Sequence, residues 1–542
     1  MTASDIISFI VKVLAGTGVF LIGVHLLTEN IEQLATNRIK DLFNKTANKR
    51  LLNVGIGAVT TALVQSSGVT TVLIVGFVNV GIMSLFQATA MIMGANIGTT
   101  ITAQIAALAA FDFTTYIQIL SCVGVLIAMV CKKEKIKNIG FIVAGLGIIF
   151  IGLDIMSGAM SDDKYKMALQ AVFETVKNPF LLLFIGILIT ALVQSSSATT
   201  SVIIAMSMAG LVIGTGGNEV LYIILGTNIG SCVTALMSSM GAGTNARRAS
   251  LIHLLFNTFG SVLYFIILTF IPSFMEATFK SWFSEPATQI AMFHTFFNTS
   301  CTLLFLPFVN VFVKISKLLI RENVSEEEKE QTYLDQRLLS SSSLAISALK
   351  KETMLLSDVA MKAFLTSYKA FKDRDESKTD EIHENIEKAN KLSQNIINYL
   401  IKTSANATGT EESVIAGLHN NVGDVMRITD ISDNFTKYTR KTVKKNITFS
   451  DGVIEKLDEM IGHVESLYAL TKKSILENDK SLLPEIDSIE DQIDKLRKVL
   501  IDGHIERLNK GQCKPESSSV FINLVSNVER LGDHLTFIAH SI

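Results

Sequence analysis

Charge is scarce in this chain, and unevenly so. Only 18% of its 542 residues are charged, against 49% hydrophobic. Residues 1–320 hold 18 Lys and Arg and 13 Asp and Glu, while the rest of the chain holds 30 and 37. Long apolar stretches fill the first part and are nearly missing from the second. A membrane domain is therefore expected over 1–320, a polar linker over 321–332 and a soluble domain over 333–542. Cysteine is also scarce. Cys122, Cys131, Cys232, Cys301 and Cys513 form no C-x-x-C and no paired spacing, which reads as buried thiols rather than a disulfide frame. The first nine residues carry Asp5 and no basic residue, so the first apolar run reads as a retained span rather than a signal peptide. There is no G-x-x-x-x-G-K-[ST] loop, no nucleophile elbow, no H-E-x-x-H and no Cys/His metal cluster, which argues against an enzyme.

What is present is a repeated polar clump inside apolar sequence. Gln65-Ser66-Ser67-Gly68-Val69-Thr70-Thr71 returns 129 residues later as Gln194-Ser195-Ser196-Ser197-Ala198-Thr199-Thr200. Gly16, Gly18 and Gly23 match Gly145, Gly147 and Gly152 at the same offset. Gly94-Ala95-Asn96-Ile97-Gly98-Thr99 matches Gly226-Thr227-Asn228-Ile229-Gly230-Ser231 at offset 132. Three ordered blocks at nearly one spacing imply duplication, with repeats over about 6–131 and 138–271 and an extra span over 287–313. Glycines at matched positions alone would be ordinary helix-packing residues.

Each unit reads as one span, one Gln-Ser-Ser run and two further spans. A run of some 30 residues with a polar centre suits two half-helices that enter and leave on one side. Each unit then crosses three times and the second is inverted, the inverted-repeat plan of secondary transporters, with a site where broken helices meet at the midplane. Fourteen basic residues flanking the apolar runs fall on one side and five on the other, so the former is expected to be cytoplasmic. That puts the N-terminus outside and the C-terminal domain inside a plasma (inner) membrane.

Bilayer hydrocarbon offers such clumps no water, so they pair internally or with a bound solute. Hydroxyls donate to anionic oxygens and also coordinate small hard cations. Half-helix N-termini suit an anion, and freed carbonyls and carboxamides suit sodium. Neither motif contains Lys or Arg, so a multivalent anion would need co-bound cations. One motif alone is ordinarily back-bonding within helices; a symmetric pair favours a site. His25 and Asp154 are repeat-equivalent and lie near span ends, where they read equally as functional or as hydrated. His253 and His294, on apolar faces, read as satisfied core histidines.

The paired Gln-Ser-Ser motifs, each followed by Gly-x-Asn-Ile-Gly, resemble the type II sodium–phosphate cotransporter family, as does Arg247-Arg248-Ala249-Ser250-Leu251-Ile252-His253-Leu254-Leu255-Phe256-Asn257. The resemblance covers residues 1 to about 320. It implies sodium-coupled import of inorganic phosphate. Ser66, Ser67, Thr70, Ser195, Ser196, Ser197 and Thr199 would bind phosphate, and Gln65, Thr71, Asn96, Thr99, Gln194, Thr200 and Asn228 sodium. Gly68 stands where the family's third serine usually does. Sodium-coupled transport of another oxyanion, or a phosphate-sensing receptor, are the rival readings. The expected partners are phosphate, sodium and lipid, with no nucleic acid and with a homodimer in view.

From about Gln331 the apolar spacing is helical. Ile382–Glu387 resembles Ile489–Asp494 at offset 107, and Arg427-Ile428-Thr429-Asp430 resembles Arg530-Leu531-Gly532-Asp533 at offset 103, so two three-helix bundles are expected in an all-α protein. Glu529 and Asp533 are similar to the E-x-x-x-D signature of PhoU-like domains. With Asp430 they are the candidate ligands for a divalent metal, against solvated helix charges as the plainer reading. Met426 replaces the first copy's glutamate.

Overall fold

The computed structural model describes residues 3–44, 49–111, 113–321, 332–405, 407, 409–513 and 515–541. Among them are helices and turns and no strand. The chain divides into two compact units, 1–330 and 331–542. The expected linker residues 322–331 lie outside the described residues.

The first unit opens with α1 (Ala3–Asn44), α2 (Arg50–Val64), α3 (Ser67–Asn79) and α4 (Leu85–Ala107). Short α5 (Thr114–Ile117), α6 (Leu120–Val130), α7 (Glu134–Ser161) and α8 (Asp163–Phe173) follow. Then come α9 (Pro179–Val193), α10 (Ser196–Met208), α11 (Glu219–Gly230), α12 (Cys232–Ser239), α13 (Thr244–Phe270), α14 (Pro286–Phe305) and α15 (Val309–Leu319). Among the described residues six helical stretches are long and apolar enough to cross a bilayer, in α1, α4 with the turn that follows it, α7, α11–α12, α13 and α14–α15. The protein is a multi-pass membrane protein. The spans differ from expectation in detail. The amphipathic stretch after Glu29 continues α1 without a break as far as Asn44. The stretch 114–130 is α5 and α6 rather than one span, and α11 and α12 part at Ser231.

Glycine sets how the helices meet, because it lets backbones touch. A Cβ on Gly16 would sit 2.8 Å from Met156 N, and one on Gly152 2.4 Å from Phe20 N. One on Gly23 would sit 2.6 Å from Ile149 N, and one on Gly145 2.7 Å from Leu27 N. Numbers fall in α7 as they rise in α1, so these two repeat-equivalent helices run antiparallel. Helices α2 and α4 instead run parallel. Gly94 meets Val54, Gly57 meets Met91 and Gly98 meets Ala58 and Thr61, all backbone-close. Gln65 is bonded to Thr102 in the same register. Helix α4 thus starts level with the start of α2, and α3 must run back between them. The second copy repeats this: Gly186 and Gly226 interlock, as do Gly230 and Ile187, so α9 and α11 are parallel and α10 returns. The return loop is stapled by buried Asn218, whose carboxamide donates to Leu268 O (2.9 Å) and Ile271 O (2.8 Å) and accepts from Met275 N (2.9 Å).

The second unit holds α16 (Ser342–Asp373), α17 (Thr379–Ser404), α18 (Thr410–Lys444), α19 (Asp451–Glu477), α20 (Leu483–Asn509) and α21 (Pro515–His540) around one apolar core. Arg374 and Asn478 end α16 and α19 in the left-handed conformation. Each is followed by an aspartate, Asp375 or Asp479, accepting from the backbone N–H two residues on. A clasp joins α16 to α19 reciprocally. Asp358 Oδ1 accepts from Tyr468 Oη (2.6 Å) and Lys472 Nζ (2.6 Å). Asp458 accepts from Tyr368 Oη (2.8 Å) and Lys372 Nζ (2.7 Å). This D-x9-Y-x3-K pattern repeats at an offset of 100.

Candidate functional site

The two polar clumps are the breaks between α2 and α3 and between α9 and α10, and they have one backbone shape. Gln65 has φ 51° and ψ 18°, Gln194 φ 57° and ψ 21°. Ser66 (φ −143°, ψ 107°) and Ser195 (φ −142°, ψ 107°) are extended. A left-handed, non-glycine residue is uncommon and mildly strained, so its recurrence at equivalent positions marks a shared constraint. Each serine then caps the returning helix: Ser66 Oγ accepts from Val69 N and Ser195 Oγ from Ala198 N, both at 3.2 Å. Thr70 and Thr199 donate back to the Ser66 and Ser195 carbonyls at 3.0 and 3.1 Å. Back-bonding therefore accounts for those two threonines.

It does not account for their neighbours. Thr71 and Thr200, both fully buried, have no hydrogen-bond partner for their hydroxyls among the described residues. The same holds for Thr60 and Thr61 on α2, Thr190 on α9, Ser201 on α10 and the Asn96 carboxamide nitrogen. Buried polar atoms ordinarily find partners, so these fit a site for polar solutes. Ser67 and Ser196 stand at the first positions of α3 and α10, where the helical N–H groups have no intrahelical acceptor. Asn228 donates to Ile224 O, and Thr99 donates to Ala95 O. Gly68 leaves real space: a Cβ there would lie 3.5 Å from Thr234 Cγ2. Thr234 belongs to α12, one helix beyond the second Asn-Ile-Gly block, so the first break reaches the second repeat.

The breaks differ in surroundings. Gln65 is buried, with Oε1 accepting from Thr102 Oγ1 at 2.8 Å and Nε2 donating to Ala62 O at 2.5 Å. Gln194 is exposed, and its Nε2 has Met237 Sδ at 3.7 Å. Ser197 is half-buried.

The segment of the family resemblance that ends at Asn257 has a second, shorter copy in the chain. His253-x-x-Phe256-Asn257-Thr258 on α13 recurs as His294-x-x-Phe297-Asn298-Thr299 on α14, an internal offset of 41 that could have revealed it. Ser250 Oγ to Ala235 O and Ser261 Oγ to Leu225 O set an antiparallel register that puts Asn257 level with Asn228. Thr302 Oγ1 to Met93 O and Gln104 Nε2 to Ala291 O put Asn298 level with Asn96 and Ile97. Both asparagines donate to the histidine carbonyl four residues back, leaving Oδ1 buried without a partner among the described residues. His253 and His294 are buried, but they are not satisfied core histidines: His253 Nδ1 and both His294 ring nitrogens lack partners among the described residues. His25, 3.4 Å from Glu29, and Asp154 are exposed side chains.

In the second unit the expected metal ligands are not brought together. Asp430, on α18, pairs with Arg427 at 3.2 Å. Glu529 and Asp533, on α21, lie beside Glu490 and Asp494 of α20, with Arg497 Nε 3.8 Å from Glu529. Burial and then neighbouring carboxylates hold Glu529, Asp533 and Glu490 above the usual carboxylate range. Among the described residues no group of three His, Cys, Asp or Glu has a metal-holding arrangement.

Residues 19–158 match the Na+/Pi-cotransporter family model, residues 159–284 match it again, and residues 457–542 match the PhoU domain. The chain is similar to the putative inorganic phosphate export protein YjbB of Escherichia coli (strain K12), 24% identical over 98% of this chain and 97% of that one. It is similar to the uncharacterized protein YqeW of Bacillus subtilis (strain 168), 29% identical over 56% of this chain and 95% of that one. With human sodium-dependent phosphate transport protein 2B it shares 29% identity over 36% of this chain and 29% of that one. No solved structure matches.

Proposed function

We propose, for a chain that belongs to the Na+/Pi-cotransporter family and ends in a PhoU domain, sodium-coupled transport of inorganic phosphate between its two Gln-Ser-Ser breaks. The observation that carries this is the pair of breaks with one backbone shape, each leaving a buried threonine hydroxyl, Thr71 or Thr200, without a partner among the described residues. Phosphate oxygens accept from Ser66, Ser67, Ser195, Ser196 and Ser197, with Thr70 and Thr199 at hand, and from the free N–H groups at the starts of α3 and α10. The dipole ends of those helices favour the negative charge. Sodium balances that charge through the oxygens of Gln65, Thr71, Asn96, Thr99, Gln194, Thr200 and Asn228, because no cationic side chain stands in either break. Antiparallel packing of the repeat-equivalent helices α1 and α7 supports inverted repeats. The hairpin helices, 13 to 15 residues long, reach only about 20–23 Å, which suits re-entrant segments better than spans.

An inward sodium gradient would drive import, with the N-terminus outside and the PhoU domain in the cytoplasm as a regulatory part of the transporter, acting as a monomer or a dimer. A second reading, export, is favoured by the full-length similarity to a protein named as a phosphate exporter. Radiolabelled phosphate flux in proteoliposomes decides, with sodium or potassium gradients imposed in either direction. Sodium-dependent accumulation that disappears in Ser196→Ala supports import through this site. Flux only outward from loaded vesicles supports export. Binding without flux would favour a receptor, and flux indifferent to sodium would sink the coupling. Sulfate competition tests the choice of anion.

A further inference from the structure

On their shared core the six helices of the second unit form two three-helix bundles, α16–α18 and α19–α21, which diverge at one end. Counted from the shared clasp, Asp358 is the seventeenth residue of α16 but Asp458 only the eighth of α19. Helix α16 therefore carries nine more residues at its start, about 13 Å of helix. Those turns bury Ala345, Ile346 and Leu349 in the core. In the second bundle the same end is closed by the loop Asn446–Ser450, and a cavity of about 240 Å³ remains between that loop, the end of α20 and the start of α21.

Side chains change character where the helix is missing. At the offset of 107 that relates Ile382 to Ile489, α17 has Ile397 and Leu400 where α20 has His504 and Arg507. Lost packing surface has become polar and cationic rather than merely exposed. His504 is only 2% exposed, with Nε2 3.0 Å from Ser518 Oγ and its ring 4.7 Å from that of Phe521. Arg507 is half-buried at the cavity and has no ion-pair partner among the described residues. The acid next to it in sequence, Glu506, is held by Lys510 Nζ at 2.5 Å. Ser450 precedes α19 at the cavity rim without making a side-chain cap bond.

We propose that this cavity binds a phosphoryl oxyanion, either free phosphate or a small phosphate ester. The guanidinium of Arg507 takes the anion as a charge-assisted donor, the hydroxyl of Ser450 adds a donor, and the Phe449 and Phe521 walls accept an apolar substituent. The site would let the PhoU-containing unit register a phosphorylated solute independently of the membrane site.

The test uses the purified full-length chain carrying Ser196→Ala, in sodium-free potassium buffer, so that binding at the membrane site does not contribute. Equilibrium binding of radiolabelled phosphate and of AMP is measured, with parallel measurements on Arg507→Gln and Ser450→Asp. The expected result is saturable binding of one ligand per chain, weakened at least tenfold in both variants while thermal unfolding is unchanged. Binding of phosphate alone identifies the free anion, and binding of AMP alone the ester. No saturable binding of either ligand, or undiminished binding in both variants, overturns the proposal. Because flux is measured separately on the unsubstituted chain, failure here leaves the transport reading standing.

Discussion

The most exposing perturbation of the membrane site is Thr102→Val. The Gln65 carboxamide is oriented by its own donation to Ala62 O, so its oxygen must face Thr102 Oγ1 at 2.8 Å. Both side chains are buried, Gln65 to 7% and Thr102 to 3% exposure. Valine keeps the shape of threonine and removes only the donor. A buried acceptor left without a partner costs about 1–3 kcal/mol, roughly 5- to 150-fold in the population of the closed tip. Unfolding of the purified protein and sodium-dependent uptake should both register the loss. Gln65→Leu removes the acceptor, so the double variant should be little worse than Gln65→Leu alone, giving a coupling of about 1 kcal/mol or more. The second tip is the internal control. Gln194 is exposed and has only a weak sulfur contact at 3.7 Å, so Met237→Leu should cost under about 0.5 kcal/mol. Additive effects of Gln65→Leu and Thr102→Val, or an unchanged Thr102→Val protein, would refute the reasoning.

Three further outcomes are expected. Glu529, Asp533 and Glu490 are raised in the folded state, so their contribution to stability is present at low pH and is lost as pH rises through the raised carboxylate range. Asp533→Asn should accordingly raise the melting temperature of the second unit at pH 7.5, with the difference vanishing near pH 4. Tyr368→Phe and Tyr468→Phe should each cost about 0.5–1.5 kcal/mol in chemical denaturation. Their clasps lie ten residues apart along the same two helices, so the costs should add to within about 0.5 kcal/mol. Gly68→Ser should fold normally and retain uptake, its Cβ meeting Thr234 at ordinary van der Waals distance. Gly94→Ala would instead drive a Cβ to 2.0 Å from Val54 O, and its yield of folded protein, read by size-exclusion chromatography, should fall sharply.

Local chemistry is enough to read much of this protein from its residues. Apolar runs must avoid water, so the division into a membrane part and a helical second unit is visible in composition. The Gln-Ser-Ser clumps stand out because hydrocarbon offers them nothing to bond. Duplication keeps spacing, so the offset of 129 pairs the two breaks in the sequence itself. The His253–Asn257 and His294–Asn298 motifs and the D-x9-Y-x3-K clasp are periodic too, but their residues look ordinary one at a time. Only packing shows that two of them leave carbonyl oxygens unpaired in the core while the other ties two bundles together.

Other features exist only in three dimensions. Equal backbone angles at Gln65 and Gln194 conceal unequal burial, because Thr102 reaches one carboxamide and Met237 stands by the other. The direction of α3 follows from glycine contacts that hold α2 parallel to α4 through residues far apart in sequence. The cavity beside Arg507 arises from nine residues of helix that α16 has and α19 lacks, a length difference that matters only once the neighbouring helices are in place. Polarity and repetition are properties of the chain, whereas which polar atoms stay unpaired depends on what folding brings within hydrogen-bond reach.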